Sequence, residues 1–211
     1  MPYDLVWFAA QLHHQIDPYV GVTNEQVEAL YRHFELLVRW NQKMNLTAVR
    51  NPEEMVVRHY CESLFFASRI PADWSDFVDI GSGAGFPGIP MAILRPEWRV
   101  TLLEAQQRKA VFLREATRKL GNVAVRGDRA EKITGSFRAI VSRAVDPAEV
   151  LSLLPRLSTN VGLLIGDTEL AQDIEVLSRI NLPWGEKRVA IYASVSRGTP
   201  RAELPFVPCG T

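Results

Sequence analysis

A chain of 211 residues, 47% hydrophobic and 23% charged, can bury one substantial core, and it contains no run near the roughly 18 apolar residues that a membrane span needs. Its formal net charge of zero excludes a protein that binds nucleic acid by bulk charge alone. Cys61 and Cys209 are isolated, with no Cys or His at zinc spacing, so they read as free thiols of a reducing compartment, with no metal site.

The N-terminal MPYDLVWFAAQLHHQIDP lacks the basic start and small-residue cleavage site of a secretory signal, so a cytoplasmic protein is expected. Within it, His13-His14 reads as a surface pair. Thr23 and Gln26 form a capping-box pair, and Val27, Leu30, Tyr31, Phe34, Leu37 and Val38 recur at helical spacing. After the polar, irregular loop WNQKMNLTAVR, Asn51-Pro52 with Glu54 reads as cap, first-turn proline and third-position acid of a helix reaching about Arg69.

From residue 76 the rhythm changes to short apolar runs alternating with helical stretches. Strands are predicted at Phe77–Ile80, Val100–Glu104, Val123–Arg126, Ala139–Ser142 and Val161–Ile165, and helices over 87–94, 106–120, 147–157 and 168–180. This spacing predicts an α/β fold with a parallel sheet covered on both faces. Arg188–Val195 alternates and is expected to add an antiparallel edge, and the proline-rich segment after it reads as a surface tail. Residues 106–143 carry ten Lys or Arg against three acids, either the solvated face of a helix or a footprint for a polyanion.

DIGSGAGFPGIP, residues 79–90, follows the first strand, and in open α/β sheets ligands bind beyond the carboxyl ends of the strands. Gly83-x-Gly85-x-x-Gly88 formally matches the dinucleotide fingerprint. It starts two residues late, however, and places Pro87, which has no N–H, where a pyrophosphate needs donors. Gly81-x-Gly83-x-Gly85 suits instead a ligand without phosphates pressed against the backbone, such as S-adenosylmethionine. Glu104 ends the second strand at the spacing where an acid accepts ribose hydroxyls, and Asp79 is placed to face an ammonium. The turn Asp128-Arg129-Ala130-Glu131 is where an adenine edge would lie, a plain polar turn being the alternative. Arg143, at the carboxyl end of strand four, is suited to a carboxylate or a phosphate.

NLTAVR at 45–50, RHYCESL at 58–64, DIGSGAGFPGIPMAILRPE at 79–97, TLLEAQQRKAVFLRE at 101–115, GDRAEKI at 127–133 and VSRA at 141–144 occur in this order. Together they resemble the glucose-inhibited division protein B family, the 16S rRNA guanine-N7 methyltransferases. The resemblance implies a Rossmann-like class I methyltransferase sheet over 71–198, an N-terminal helical extension over 1–70 packed on it, and a tail over 199–211. It implies S-adenosylmethionine as donor, held by Asp79, Gly81, Ser82, Gly83, Gly85, Phe86, Glu104, Ala130, Glu131 and Arg143. The implied acceptor is N7 of a guanine in the decoding-region loop of 16S rRNA, lined by Asn45, Arg50, Arg58 and His59, with Arg143 and His59 at the chemistry. The near-zero charge suits recognition of folded RNA in a small-subunit or assembly-intermediate context. The chain departs from the family pattern at Ile165, where members carry Lys, and at Val145, where many carry Phe.

Guanine N7 attacks with a lone pair that carries no proton, so no general base is required and positioning suffices. The sequence agrees, offering no Ser-His-Asp order and no paired carboxylates, and NLPW at 181–184 lies too late in the topology to act as an amino-group methyltransferase loop, so it reads as a turn. Two rival classes stand beside this one: a noncatalytic binder of the donor or an adenine nucleotide, and an NAD-dependent oxidoreductase, disfavoured by Pro87 and the loop register.

Overall fold

Strands β1 (Asp76–Ile80), β2 (Arg99–Leu103), β3 (Val123–Arg126), β4 (Ala139–Arg143), β5 (Asn160–Gly166), β6 (Ile174–Asn181) and β7 (Arg188–Val195) form one sheet in the computed structural model. The residues it describes are 3–166, 168–170, 174–185 and 187–195. Strand order is β3-β2-β1-β4-β5-β7-β6, parallel throughout β1 to β5 and antiparallel at the β5–β7 and β7–β6 pairs. β1 pairs with β2 on one side and β4 on the other, so the order reverses there and the segments after β1 and β4 meet at one carboxyl edge.

Strand pleating explains the two cores. Successive side chains point to opposite faces. Phe77, Ala139, Val141, Ala190 and Tyr192 therefore join the larger cluster, while Val78, Ile140, Val189, Ile191 and Ala193 join the smaller. The smaller core is closed by α7 (Pro147–Leu151) and α8 (Leu154–Leu157) through Val150, Leu154 and Leu157. These two occupy the stretch predicted as one helix, because Pro155 has no N–H to carry the helical ladder onward. The larger core lies under α5 (Gly88–Leu94), α6 (Gln107–Thr117) and the N-terminal helices.

Those helices are α1 (Leu5–Ile16), α2 (Asn24–Asn41), α3 (Pro52–Met55) and α4 (Glu62–Ser68), the last two joined by a π-helical turn, Val56–Cys61. Both predicted caps form: Thr23 and Gln26 close a capping box, and the Asn51 side chain accepts from the Glu54 N–H. α1 was not among the expected elements. Asp4 caps it through the Trp7 N–H, and it buries only a narrow stripe, Phe8, Leu12 and Ile16, too sparse to stand out in an apolar stretch.

The helix predicted over 168–180 is not there. Residues 168–170 are irregular, and Ile174–Asn181 is a strand paired with β7, with a bulge between Val176 and Ser178. Pairing with an available strand overrides the local helical preference of this segment. β7 is antiparallel as expected, but β6 covers it, so it is an interior strand and β6 is the edge. NLPW is the reversal between them, and the predicted tail lies outside the described residues.

Gly162 of β5 faces Phe66: a Cβ there would stand 2.8 Å from the ring. Gly162→Val is therefore expected to destabilise the fold by about 1–3 kcal/mol through overpacking. Gly121→Ala, which meets nothing within 4 Å, is expected to leave the urea midpoint unchanged.

Candidate functional site

At the reversal of strand order, the loop after β1 and the end of β4 face each other, and the π-helical turn reaches both. The loop is held from three directions. The Glu104 carboxylate accepts the Gly83 N–H at 2.9 Å through Oε2 and the Gln106 N–H at 2.8 Å through Oε1. The Asp79 Oδ2 accepts the Gly88 N–H at 3.1 Å, and the Ser82 hydroxyl donates to the Asp79 carbonyl at 2.9 Å. His33, fully buried, has Nε2 3.0 Å from the Ala84 carbonyl and Nδ1 2.9 Å from the Tyr60 hydroxyl. A carbonyl only accepts, so Nε2 carries the hydrogen and the tyrosine donates to Nδ1. Burial pushes the His33 pKa down to about 4, so it is neutral at physiological pH.

Gly81, Gly83 and Gly85 have φ of 69°, 56° and 92°, the left-handed region in which a side chain is strained. At Gly85 a Cβ would collide with Ile89, whereas at Gly83 only the Gly81 carbonyl lies within 4 Å. The Gly83 backbone is thus open for close approach by a ligand.

Asp79 is buried and its Oδ1 has no partner among the described residues. Burial raises its pKa from 3.8 to about 7, with the Gly88 hydrogen bond opposing the shift.

Arg143 is partly buried, its side chain 11% exposed. Its Nη1 lies 2.9 Å from His59 Nδ1, and its Nη2 lies 3.2 Å from Oε2 of Glu62. A guanidinium only donates, so His59 Nδ1 accepts and Nε2 carries the hydrogen, given to the Thr47 hydroxyl oxygen at 2.7 Å. Burial first, then the charges of Arg143 and Arg58, hold the His59 pKa well below the usual imidazole range. Its ring stacks on Phe86 at 4.7 Å, between the arginine and the glycine loop. Burial lowers the Arg143 pKa to about 10, with Glu62 opposing the shift, so it remains a cation at neutral pH.

The expected site residues divide in use. Asp79, Gly81, Ser82, Gly83, Gly85, Phe86 and Glu104 form the loop and its supports, and His59 and Arg143 are bonded to each other. Arg50 donates to Asn45 and to the Asn41 carbonyl, so these two close the 41–50 loop on itself, and Arg58 pairs with Glu54. Ala130 and Glu131 lie in a short 3-10 turn whose carbonyls accept from Arg156. Sequence reasoning missed Thr47, Glu62, Arg188, His33 and Tyr60. Thr47 and Glu62 lie inside the quoted motifs, whereas His33 and Arg188 reach the site through long-range packing that no local pattern announces. No group that could hold a metal ion occurs among the described residues. His13 is half-buried and bonded to Asp17 at 2.8 Å, so the expected surface pair holds only for His14.

The family model for rRNA small subunit methyltransferase G matches residues 26–165. A protein of that name from Nitrosomonas europaea is 46% identical over 143 residues, 65% of this chain and 66% of its own length. Another, from Pseudomonas putida, is 45% identical over 134 residues, 62% of each chain. The alignments thus span about two thirds of these relatives. Among solved structures, the mitomycin 7-O-methyltransferase MmcR superposes with a TM-score of 0.55 at 14% identity, covering 93% of this chain and 73% of that one, a likeness of fold alone.

Because the folded-state pKa of Asp79 lies above the unfolded one, its contribution to stability is fully present below about pH 4 and is lost as pH rises through about 7. Asp79→Asn removes this loss. The melting temperature of the variant minus that of the wild type is expected to grow between about pH 5 and pH 8, and a difference that stays flat contradicts the assignment.

Proposed function

The chain belongs to the rRNA small subunit methyltransferase G family, and from that premise we propose that it transfers a methyl group from S-adenosylmethionine to N7 of a guanine in 16S rRNA. The observation that carries this reading is the meeting of an open-backbone glycine loop and a buried Arg143–His59 pair at one carboxyl edge.

The loop fits the donor in three respects. Gly83 leaves its face free where any Cβ would stand in the way. Each Glu104 oxygen accepts one backbone N–H and retains a lone pair for a ribose hydroxyl. Asp79 keeps an unpartnered carboxyl oxygen, an acceptor for an ammonium whose charge would favour the ionised form. When bound, the donor supplies an electrophilic methyl on a sulfonium, and the C–S electron pair stays with sulfur as the methyl leaves. The turn at Ala130 and Glu131 would border the adenine.

The protein's own contribution is placement. Guanine N7 has no proton to lose, and both ring nitrogens of neutral His59 are already engaged, so His59 orients Arg143 and removes no proton. Arg143 remains charged beside the reacting pair and meets an anionic group of the substrate. Phe86, stacked on His59, closes the space between donor loop and arginine against water. Residues 1–70 act in this reading as an extension that carries His59 to the methyltransferase sheet. The basic 106–143 stretch supplies phosphate contacts, and the substrate is a folded small-subunit or assembly-intermediate context in the cytoplasm.

Incubation with labelled S-adenosylmethionine and small ribosomal subunits lacking the modification is expected to place 7-methylguanine in 16S rRNA, mapped by mass spectrometry. Donor binding without label in the RNA would make the protein a noncatalytic binder. Glu104→Ala and Gly83→Val are each expected to weaken donor binding by about tenfold or more in calorimetry, a loss of at least about 1.4 kcal/mol. Unchanged affinity in both refutes this placement of the donor.

A further inference from the structure

Arg188 belongs to neither the donor loop nor the Arg143–His59 pair, yet the topology delivers it to the same edge. β7 runs antiparallel to β5, so its first residue lies opposite the last residue of β5, and Arg188 is in register with Gly166. Its Nη2 lies 2.6 Å from Oε2 of Glu62, the oxygen that Arg143 also contacts at 3.2 Å. Glu62 is completely buried. Its Oε1 and the Arg188 Nε have no partner among the described residues.

Among the described residues the charges in this cluster do not balance. Two guanidiniums share one carboxylate, and His59 beside them is neutral. A surplus cation partly withdrawn from water, as Arg143 and Arg188 are at 11% and 22% side-chain exposure, is stabilised by an anion that joins it. Both arginines line a cleft of about 500 Å³ together with Arg58, Val145, Pro147 and Ile165. Among the described residues the one acid in its lining, Asp146, is used as the cap of α7, accepting the Ala148 N–H at 2.8 Å. The glycine loop itself, residues 81–88, is not among the residues that line this cleft, although Val145 at its wall faces Gly81.

We propose that Arg188 and Arg143 form a two-guanidinium clamp for a phosphodiester of the RNA acceptor, and that Glu62 is the positioning residue that holds them side by side. The clamp rests on the reading of the protein as an RNA methyltransferase. Guanidinium forks match phosphate oxygens bidentately; Glu62 takes one hydrogen from Nη2 of each and His59 one from Nη1 of Arg143, and the second hydrogens of these nitrogens, with Nη1 of Arg188, remain for the ligand.

The test uses the full chain and small ribosomal subunits lacking the modification, comparing wild type with Arg188→Gln, Arg188→Lys and Glu62→Gln. Subunit affinity across a salt series, methyl-transfer kinetics, donor affinity and melting temperature are read together. For Arg188→Gln, KM for the subunit is expected to rise about tenfold with kcat within about twofold. The slope of log affinity against log salt is expected to fall by about 0.7 to 0.9, the signature of one lost phosphate contact. Donor affinity stays at the wild-type value, and the variant still melts cooperatively, at a lower temperature because Glu62 loses its 2.6 Å partner. Arg188→Lys is expected to restore the salt slope but only part of the affinity, since a point charge replaces a fork. Glu62→Gln, provided it melts cooperatively, is expected to raise KM in the same direction. Wild-type KM and salt slope in Arg188→Gln overturn the clamp while leaving the methyltransferase reading intact. Loss of donor affinity at an unchanged slope also overturns it, assigning the arginine to the donor's carboxylate. A wild-type protein that methylates no subunit RNA removes the reading and the clamp together.

Discussion

A guanidinium buried at the carboxyl edge of the central strands sets the terms for everything around it. Arg143 must stay charged there, and burying a charge without partners costs several kcal/mol. The partners come from the N-terminal half of the chain: a neutral imidazole at His59 and a carboxylate at Glu62, three residues apart. Between them the helix widens into a π-turn, in which the Glu62 N–H reaches back five residues to Val57. Such turns are rare and are frequent at functional sites. The Ser63 hydroxyl takes up the His59 carbonyl at 2.5 Å, and Thr47 in the preceding loop fixes the imidazole from its other side.

The same turn also governs the donor side. His59 addresses Arg143, and Tyr60, the next residue, donates to His33, which in turn holds the Ala84 carbonyl of the glycine loop. Phe86 lies between, stacked on His59 and edge-on to Tyr60. One helical turn thus ties the loop after β1 to the end of β4, the two segments that a switch point brings together in open α/β sheets. The loop's left-handed glycines and the buried Asp79 have their conformations fixed before any ligand arrives, which is the structural form of preorganisation.

Much of this arrangement was legible in the residues. Five strands at βαβ spacing and both helix caps follow from local rules of periodicity and capping, and they hold in the structure. What escaped depends on pairing across long separations. Ile174–Asn181 mixes Glu, Leu and Arg with β-branched Ile174, Val176 and Ile180, and it becomes a strand because β7 offers it a ladder. That pairing makes β7 interior and fixes Arg188 opposite Gly166. Glu62 carries no local sign that it will be sealed beneath two arginines, since one sits 81 residues downstream on β4 and the other on β7.

The contact on which the account turns is that of Arg143 with a neutral His59. Long-range proton–nitrogen correlation spectra of the histidine rings, with His59 assigned by substitution, measure it directly. The account requires a single neutral tautomer, protonated at Nε2 and accepting at Nδ1, that does not titrate as pH falls from about 8 to about 5.5. An imidazolium signal, or a titration near the ordinary histidine value of 6.5, would mean that Arg143 does not donate to this ring and would contradict the account.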